Sequence, residues 1–338
     1  MRAAVMRGTE LHVEDVPDPV PGEGQMLVRT VACGICGSDL HALKHFDEML
    51  ETMPSLRGGS DRPDPAAGIV MGHEFCAEVL ELGPGATGVS VGDLVVSIPA
   101  VLTANGPEAI GYSNTYPGGY GELMLLQFPM KVPEGLDARR AALTEPLAVG
   151  VHAVNRSSIA PGEAALVLGC GPIGLACIAA LKLKGIEPIV AADFSSKRRE
   201  VASAMGAHLV VDPRTEPAIE AWRRVDGSKS LVIFEAIGVP GVIDQAFRDA
   251  PARTRVVVVG VCMTEDHFRP SVAVVKELDV RFCLGYDPME FGDTLRAIAE
   301  GTIDVDPMIT GSVDVDGVPK AFTDLASPDE HVKILVEP

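Results

Sequence analysis

The chain has 338 residues, 47% of them hydrophobic, which is more than one core usually organises, so two domains of about equal size are expected. A formal net charge of -19, from 47 acidic and 28 basic residues, leaves no basic surface for nucleic acid or an anionic membrane and points to small-molecule partners. The opening MRAAVMRGTELHVEDV lacks the apolar core and small-residue cleavage site of a secretory signal, so a cytoplasmic location is expected.

Short β-like runs at Ala3 to Met6, Met26 to Ala32, Leu94 to Ile98 and Leu123 to Phe128 alternate with turn clusters such as PDPVPGEG. This texture predicts an antiparallel, loop-rich domain. Within it stands Cys33-Gly-Ile-Cys36-Gly-Ser38-Asp39-Leu-His41, and farther on Gly72-His73-Glu74. A thiolate, an imidazole and carboxylates together suit zinc. Cys33 and Cys36 alone could also be a redox dithiol or half of a zinc knuckle, but no second CxxC exists and no thioredoxin-like context surrounds them. The seven cysteines are scattered, which argues against a disulfide framework.

Between His41 and His73 lie 31 residues, with a possible amphipathic helix LKHFDEMLETM and a polar loop RGGSDRPDP. The segment reads either as a border of the substrate cleft or as a surface excursion.

From Pro161 strand and helix patterns alternate: AALVLG, GLACIAALKLKG, PIVAAD, KRREVASAMGA, then SLVIFEAIG and TRVVVVGV. Such alternation predicts a parallel sheet with crossover helices. The uncharged run Ala164 to Leu181 is long enough to suggest a membrane span, but glycines and a proline in its middle favour strand, turn and helix. Gly169, Gly171 and Gly174, with Pro172 and Ile173 between the last two, form GxGxxG at that turn. In this setting it is a dinucleotide site: Gly169 permits the tight turn, Gly171 lets backbone approach a pyrophosphate, and Gly174 lets helix pack on strand. Pro172 suits a first helical turn.

The second strand ends at Asp193, 19 residues beyond Gly174. Its carboxylate can accept the adenosine-ribose hydroxyls and would repel a 2′-phosphate, which favours NAD over NADP. Arg198, also expected to bind the cofactor, and Arg199 weigh the other way. Helices are then expected at Phe291 to Glu300 and around Val318 to Leu325, with a closing strand at Val332 to Val336.

CGICGSDLH, GHE, EPLAVGVHA and GCGPIG together resemble the zinc-dependent medium-chain dehydrogenases, closest to their sorbitol or polyol branch, over nearly the whole chain. The resemblance implies an α/β fold: a GroES-like β-rich catalytic domain (1–146 and 287–338) and an inserted Rossmann domain (147–286), with substrate in the cleft between them. It also implies a catalytic zinc on Cys36 and His73, with Glu74 and Glu145 as direct, exchangeable or water-mediated ligands. Asp39 matches the carboxylate that orients the histidine ligand, and Ser38 and His41 match a proton relay through the nicotinamide ribose. Cys33 matches no ligand.

Zinc as Lewis acid would acidify a bound alcohol, and hydride would pass to NAD. Many relatives carry a second, structural zinc on four close cysteines after a GD turn, here Gly92-Asp93. Residues 98–121 contain no cysteine, so one zinc per subunit is expected and that lobe must be held otherwise. By the same resemblance Asp279 to Gly285 would pair across a two-fold axis in a homodimer or homotetramer. The expected reaction interconverts an alcohol, secondary in preference to primary, with its carbonyl. Competing readings are a zinc-free NADPH quinone or enone reductase, which has no need of Cys36, His73 and Glu74, and a non-catalytic NAD-binding regulator, which has no need of Ser38 and His41.

Overall fold

A computed structural model of the chain describes residues 1–52, 62–327 and 329–338. Two compact units emerge. The first comprises Met1–Glu145, Ile309–Ser327 and Lys333–Pro338, and the second Pro146–Met308 with a short piece ending at Val332.

The first unit is built on a seven-stranded sheet in which Glu74–Leu82, Met26–Gly34, Lys333–Val336 and Ile309–Val313 lie side by side. Met26–Gly34 is antiparallel to both neighbours, with Gly34 opposite Glu74 on one side and Leu335 on the other. The last strand is parallel to Ile309–Val313, so the sheet is not purely antiparallel as its alternating texture suggested. Apolar side chains such as Met26, Val28, Phe75, Val79 and Leu335 are removed from water along these strands, which ties the sheet to a core. A smaller sheet, Glu10–Asp15, Arg2–Arg7 and Ile69–Val70, delivers the chain to Gly72 and His73.

After Gly34 the chain turns at Ile35 and Cys36 into the helix Gly37–Thr52, which starts earlier than the expected LKHFDEMLETM and kinks at His45 (φ -137°, ψ 43°). The loop expected at 57–65 lies, over 57–61, outside the described residues.

The second unit has a six-stranded parallel sheet in the order Leu209–Val211, Ile189–Ala192, Ala164–Leu168, Leu231–Glu235, Arg255–Val258, Asp279–Phe282. This is the doubly wound, Rossmann-type order, with the first strand central and the chain stepping outwards in each direction. Leu166, Val190, Ile233, Val256, Phe247 and Trp222 fill its core, so the single tryptophan is a packing residue. The run Ala164 to Leu181 divides into the strand Ala164–Leu168 and the helix Pro172–Leu183, and no helix among the described residues is long and apolar enough to cross a membrane. The helix expected from Phe291 starts earlier, at Pro288, because Asp287 and Glu290 form a reciprocal capping box.

Candidate functional site

Cys36, His73 and Glu74 each offer a ligand atom, and these atoms lie within 4.8 Å of one another. It is the one such group among the described residues. Two chain segments create it. Cys36 follows the end of Met26–Gly34, while His73 and Glu74 stand where the neighbouring strand begins. The register leaves no room for a side chain at position 34, where a Cβ would sit 2.1 Å from Glu74 Oε2. Gly34 is therefore a packing requirement of the carboxylate beside it.

Glu74 is fully buried, and both its oxygens accept from Lys333 Nζ, at 2.8 and 2.6 Å. Lys333 is equally buried and also donates to the Ile35 carbonyl at 2.9 Å. Burial opposes its charge, but Glu74, and beyond it Cys36 and Glu145, outweigh that cost and hold the ammonium pKa above its ordinary value. Each Glu74 oxygen retains lone-pair capacity beyond its bond to the lysine. Glu145, in the first turn of Thr144–Ser157, stays outside the close group, and its charge helps to raise the Lys333 pKa.

Asp39 has no exposure to solvent and is saturated with donors. Its Oδ1 accepts from Tyr112 at 2.7 Å, and its Oδ2 accepts from Tyr120 at 2.6 Å and from the Cys36 amide at 3.1 Å. Burial would raise its pKa, yet His73 and the two phenols more than compensate and lower it. His73 Nδ1 lies 3.4 Å from Asp39 Oδ1, within ion-pair range but without an aligned hydrogen bond. His73 is held well above the ordinary histidine range, since Asp39 and Cys36 overcome the effect of burial. A thiol, a nearly buried imidazole and a carboxylate aimed at one point make a donor set that suits zinc.

Ser38 and His41 sit one helical turn apart on Gly37–Thr52, hence on one face. Ser38 Oγ is 3.0 Å from the Tyr112 hydroxyl and 3.5 Å from His73 Nε2. Much of the His41 ring remains in water, but partial desolvation, then His45 and Lys44, lower its pKa. Cys33 is buried behind the site: its Sγ points to the Gly34 carbonyl and would touch a Cβ at Gly119.

Lys333, Tyr112 and Tyr120 escaped sequence reasoning. The segment carrying the tyrosines lies in the cysteine-free lobe and is bound to the chain leading to His73, with amides of Gly118, Gly119 and Tyr120 donating to the carbonyls of Val70, Gly72 and Met71. Asn114 adds bonds to Asp64 and Gly68.

In the second unit Gly169 adopts φ +89°, and a Cβ on Gly174 would fall 1.9 Å from the Gly169 carbonyl, so only glycine allows this strand-to-helix turn. Gly171 caps the helix with no side-chain hydrogen bond, Pro172 and Ile173 open its first turn, and a Cβ at Gly171 would meet nothing closer than Arg198 at 3.9 Å. The open space above free amides is a cradle for an anionic group. Asp193 braces it, accepting from the Cys170 and Ser195 amides at 2.7 and 2.8 Å. Arg198 Nη1 stands 4.0 Å from Asp193, and its Nε is buried with no hydrogen-bond partner among the described residues. Arg199 instead bonds the carbonyls of Asp193 and Phe194. Glu235, also missed, accepts from the Ile237 and Gly238 amides at 2.7 and 2.9 Å, and burial raises its pKa.

Comparison with known proteins places these features in a lineage. Residues 22–134 match the alcohol dehydrogenase GroES-like domain and 172–300 the zinc-binding dehydrogenase domain. (R,R)-butanediol dehydrogenase of Bacillus subtilis is 32% identical over 345 residues, 97% of each chain. The chain belongs to the zinc-dependent medium-chain alcohol dehydrogenases. The crystal structure of that 2R,3R-butanediol dehydrogenase superposes with a TM-score of 0.85, covering 100% of this chain and 99% of that one. Sorbitol dehydrogenase of B. subtilis is 27% identical, covering 100% of this chain and 97% of that one. A zinc-binding-dehydrogenase-like protein from Sinorhizobium meliloti 1021, bound to NADP, is 27% identical with a TM-score of 0.84, covering 100% of this chain and 99% of that one. Membership makes the chain a zinc-dependent oxidoreductase of alcohols that works with a nicotinamide coenzyme, and it disfavours the zinc-free reductase and the non-catalytic regulator.

Proposed function

We propose that the enzyme oxidises a secondary alcohol, diol or polyol with NAD, using one zinc held by Cys36, His73 and Glu74, with Glu145 as a further or water-mediated ligand. The observation that carries this is the convergence of those three donors within 4.8 Å, beside Ser38. Zinc, when bound, supplies Lewis acidity that makes an alcohol oxygen easier to deprotonate. The chain's own residues do the rest. Asp39 restrains His73 from behind. Ser38 Oγ takes the substrate's proton. His41, neutral at physiological pH because its pKa lies below the ordinary histidine value, is the terminal acceptor.

Asp193 supports NAD as the coenzyme: a 2′-phosphate brought to this strand end would meet its carboxylate, with Arg198 the opposing influence. Gly169, Gly171, Pro172, Ile173 and Gly174 would hold the pyrophosphate. NAD is expected to exceed NADP in kcat/KM by at least about tenfold, or ~1.4 kcal/mol. Initial rates with both coenzymes across 2,3-butanediol, sorbitol and primary alcohols check this. Equal rates with NADP, or a preference for primary alcohols, would contradict it.

The strand Asp279–Phe282 forms the sheet's edge and is followed by exposed Leu284, with Phe282, Val274 and Val275 also exposed. An uncovered apolar edge supports the homodimer or homotetramer, and sedimentation as a monomer would count against it. All seven cysteines are free thiols, in keeping with a reducing, cytoplasmic setting.

A further inference from the structure

The lobe that has no cysteines places a phenol against the serine that takes the substrate's proton. Tyr112 is buried, its ring lies 5.4 Å from that of His73, and its hydroxyl reaches two oxygens, Asp39 Oδ1 at 2.7 Å and Ser38 Oγ at 3.0 Å. A phenol has one proton to give. The carboxylate is the nearer acceptor and the charged one, and a hydrogen bond to an ionised acceptor is roughly twice as strong as a neutral one. The proton therefore goes to Asp39, leaving the phenolic oxygen as an acceptor for the Ser38 hydroxyl. Among the described residues the competing acceptor in reach of Ser38 is His73 Nε2, at the longer distance of 3.5 Å.

We propose that Tyr112 is a positioning residue for proton transfer: by accepting the Ser38 hydrogen bond, it turns the serine's lone pairs outward to receive the substrate hydroxyl. This rests on the reading of Ser38 as the first proton acceptor. Before transfer the substrate donates to Ser38, Ser38 to Tyr112 and Tyr112 to Asp39; as Ser38 takes the substrate's proton it releases its own from Tyr112 towards His41, so that one proton enters the serine and one leaves it. Without the phenolic oxygen, the Ser38 proton is free to point at the substrate oxygen, where it opposes deprotonation. The backbone enforces the placement. Gly111, at φ +85°, packs so tightly on Gly72 that a Cβ would come within 3.0 Å of the Gly72 carbonyl, and the Tyr112 amide donates to Ala109. The phenol is thus fixed to the same stretch of chain that carries His73.

Tyr120 supplies the control. It donates to the other oxygen of Asp39 at 2.6 Å, and its remaining polar neighbour is the Gly34 carbonyl rather than Ser38. Tyr112→Phe and Tyr120→Phe each remove one donor from Asp39, but only the first removes the acceptor of Ser38. Both variants are expected to lose zinc to a chelator faster than the parent, to a similar degree. Only Tyr112→Phe should show a fall in kcat for alcohol oxidation of about tenfold with an enlarged solvent deuterium isotope effect, the KM for coenzyme staying unchanged. 3-Fluorotyrosine at position 112, which keeps the shape and weakens the oxygen as acceptor, should show a smaller change in the same direction, and it serves if the phenylalanine variant does not fold.

Matching kcat losses and isotope effects in the two phenylalanine variants, or no response to fluorotyrosine, would overturn the proposal. Ser38→Ala separates the two layers of argument. If it keeps full kcat, the reading of Ser38 itself falls. If it loses activity while Tyr112→Phe behaves like Tyr120→Phe, only the role of Tyr112 falls.

Discussion

Lys333→Met is expected to lower the stability of the metal-free protein by about 3–5 kcal/mol, the usual loss when one member of a fully buried ion pair is removed. Neither Lys333 nor Glu74 has measurable exposure, and both carboxylate oxygens rest on the one ammonium. Methionine fills a similar volume, so the loss comes from the stranded charge rather than from a cavity. For a unit of this size the thermal midpoint should fall on the order of 10 °C. Adding Glu74→Gln should restore most of it, because the double variant no longer buries an unpaired charge. Thermal melts of the two single variants and the double variant check this. A drop in Lys333→Met of a degree or two, or a double variant no better than the single, would show that the pair is not what holds these strand ends together.

Cys36→Ser is expected to abolish retained zinc and to lower kcat/KM by at least about a thousandfold, since removing Lewis-acid assistance forfeits several kcal/mol of transition-state stabilisation. Cys33→Ser should keep most of both. The contrast is sharp because the two cysteines are three residues apart and face different surroundings. Cys36 contributes its sulfur to the group with His73 and Glu74, whereas Cys33 is packed against Gly119 and bonded to the Gly34 carbonyl. Burial pushes the Cys33 thiol well above its ordinary pKa, which makes it a poor source of thiolate. Zinc analysis and steady-state rates of both variants decide the matter, and equal losses would mean that the cysteines have been misassigned.

What could be read from the sequence is what local spacing dictates. Ser38, Asp39 and His41 are tied to Cys36 by one helical turn, and the glycines at 169, 171 and 174 by the demands of a strand-to-helix turn. The Rossmann strands were legible because each is a short apolar run between turn residues. Lys333 was not, because its partner is 259 residues away and a lysine in a C-terminal strand reads as a solvent-facing residue. Its one hint is the flanking pattern VKILV, in which every strand position is buried. Tyr112 and Tyr120 bond to an aspartate 73 and 81 residues distant, from a stretch rich in glycine and serine that reads only as a lobe tip. The start of the Pro288–Ala299 helix was readable in principle, since Asp287-Pro288-Met289-Glu290 carries both halves of a capping box. The kink at His45 has no local signal, and its neighbours include neither glycine nor proline.

Turnover is expected to depend on zinc at the Cys36, His73 and Glu74 group. The most direct measurement removes metal from purified enzyme with a chelator, then titrates zinc back while following both bound zinc and NAD reduction by a secondary alcohol. One zinc per chain is expected, with activity rising in proportion to occupancy, and no recovery in Cys36→Ser. Undiminished oxidation by protein shown to contain no zinc would contradict the account.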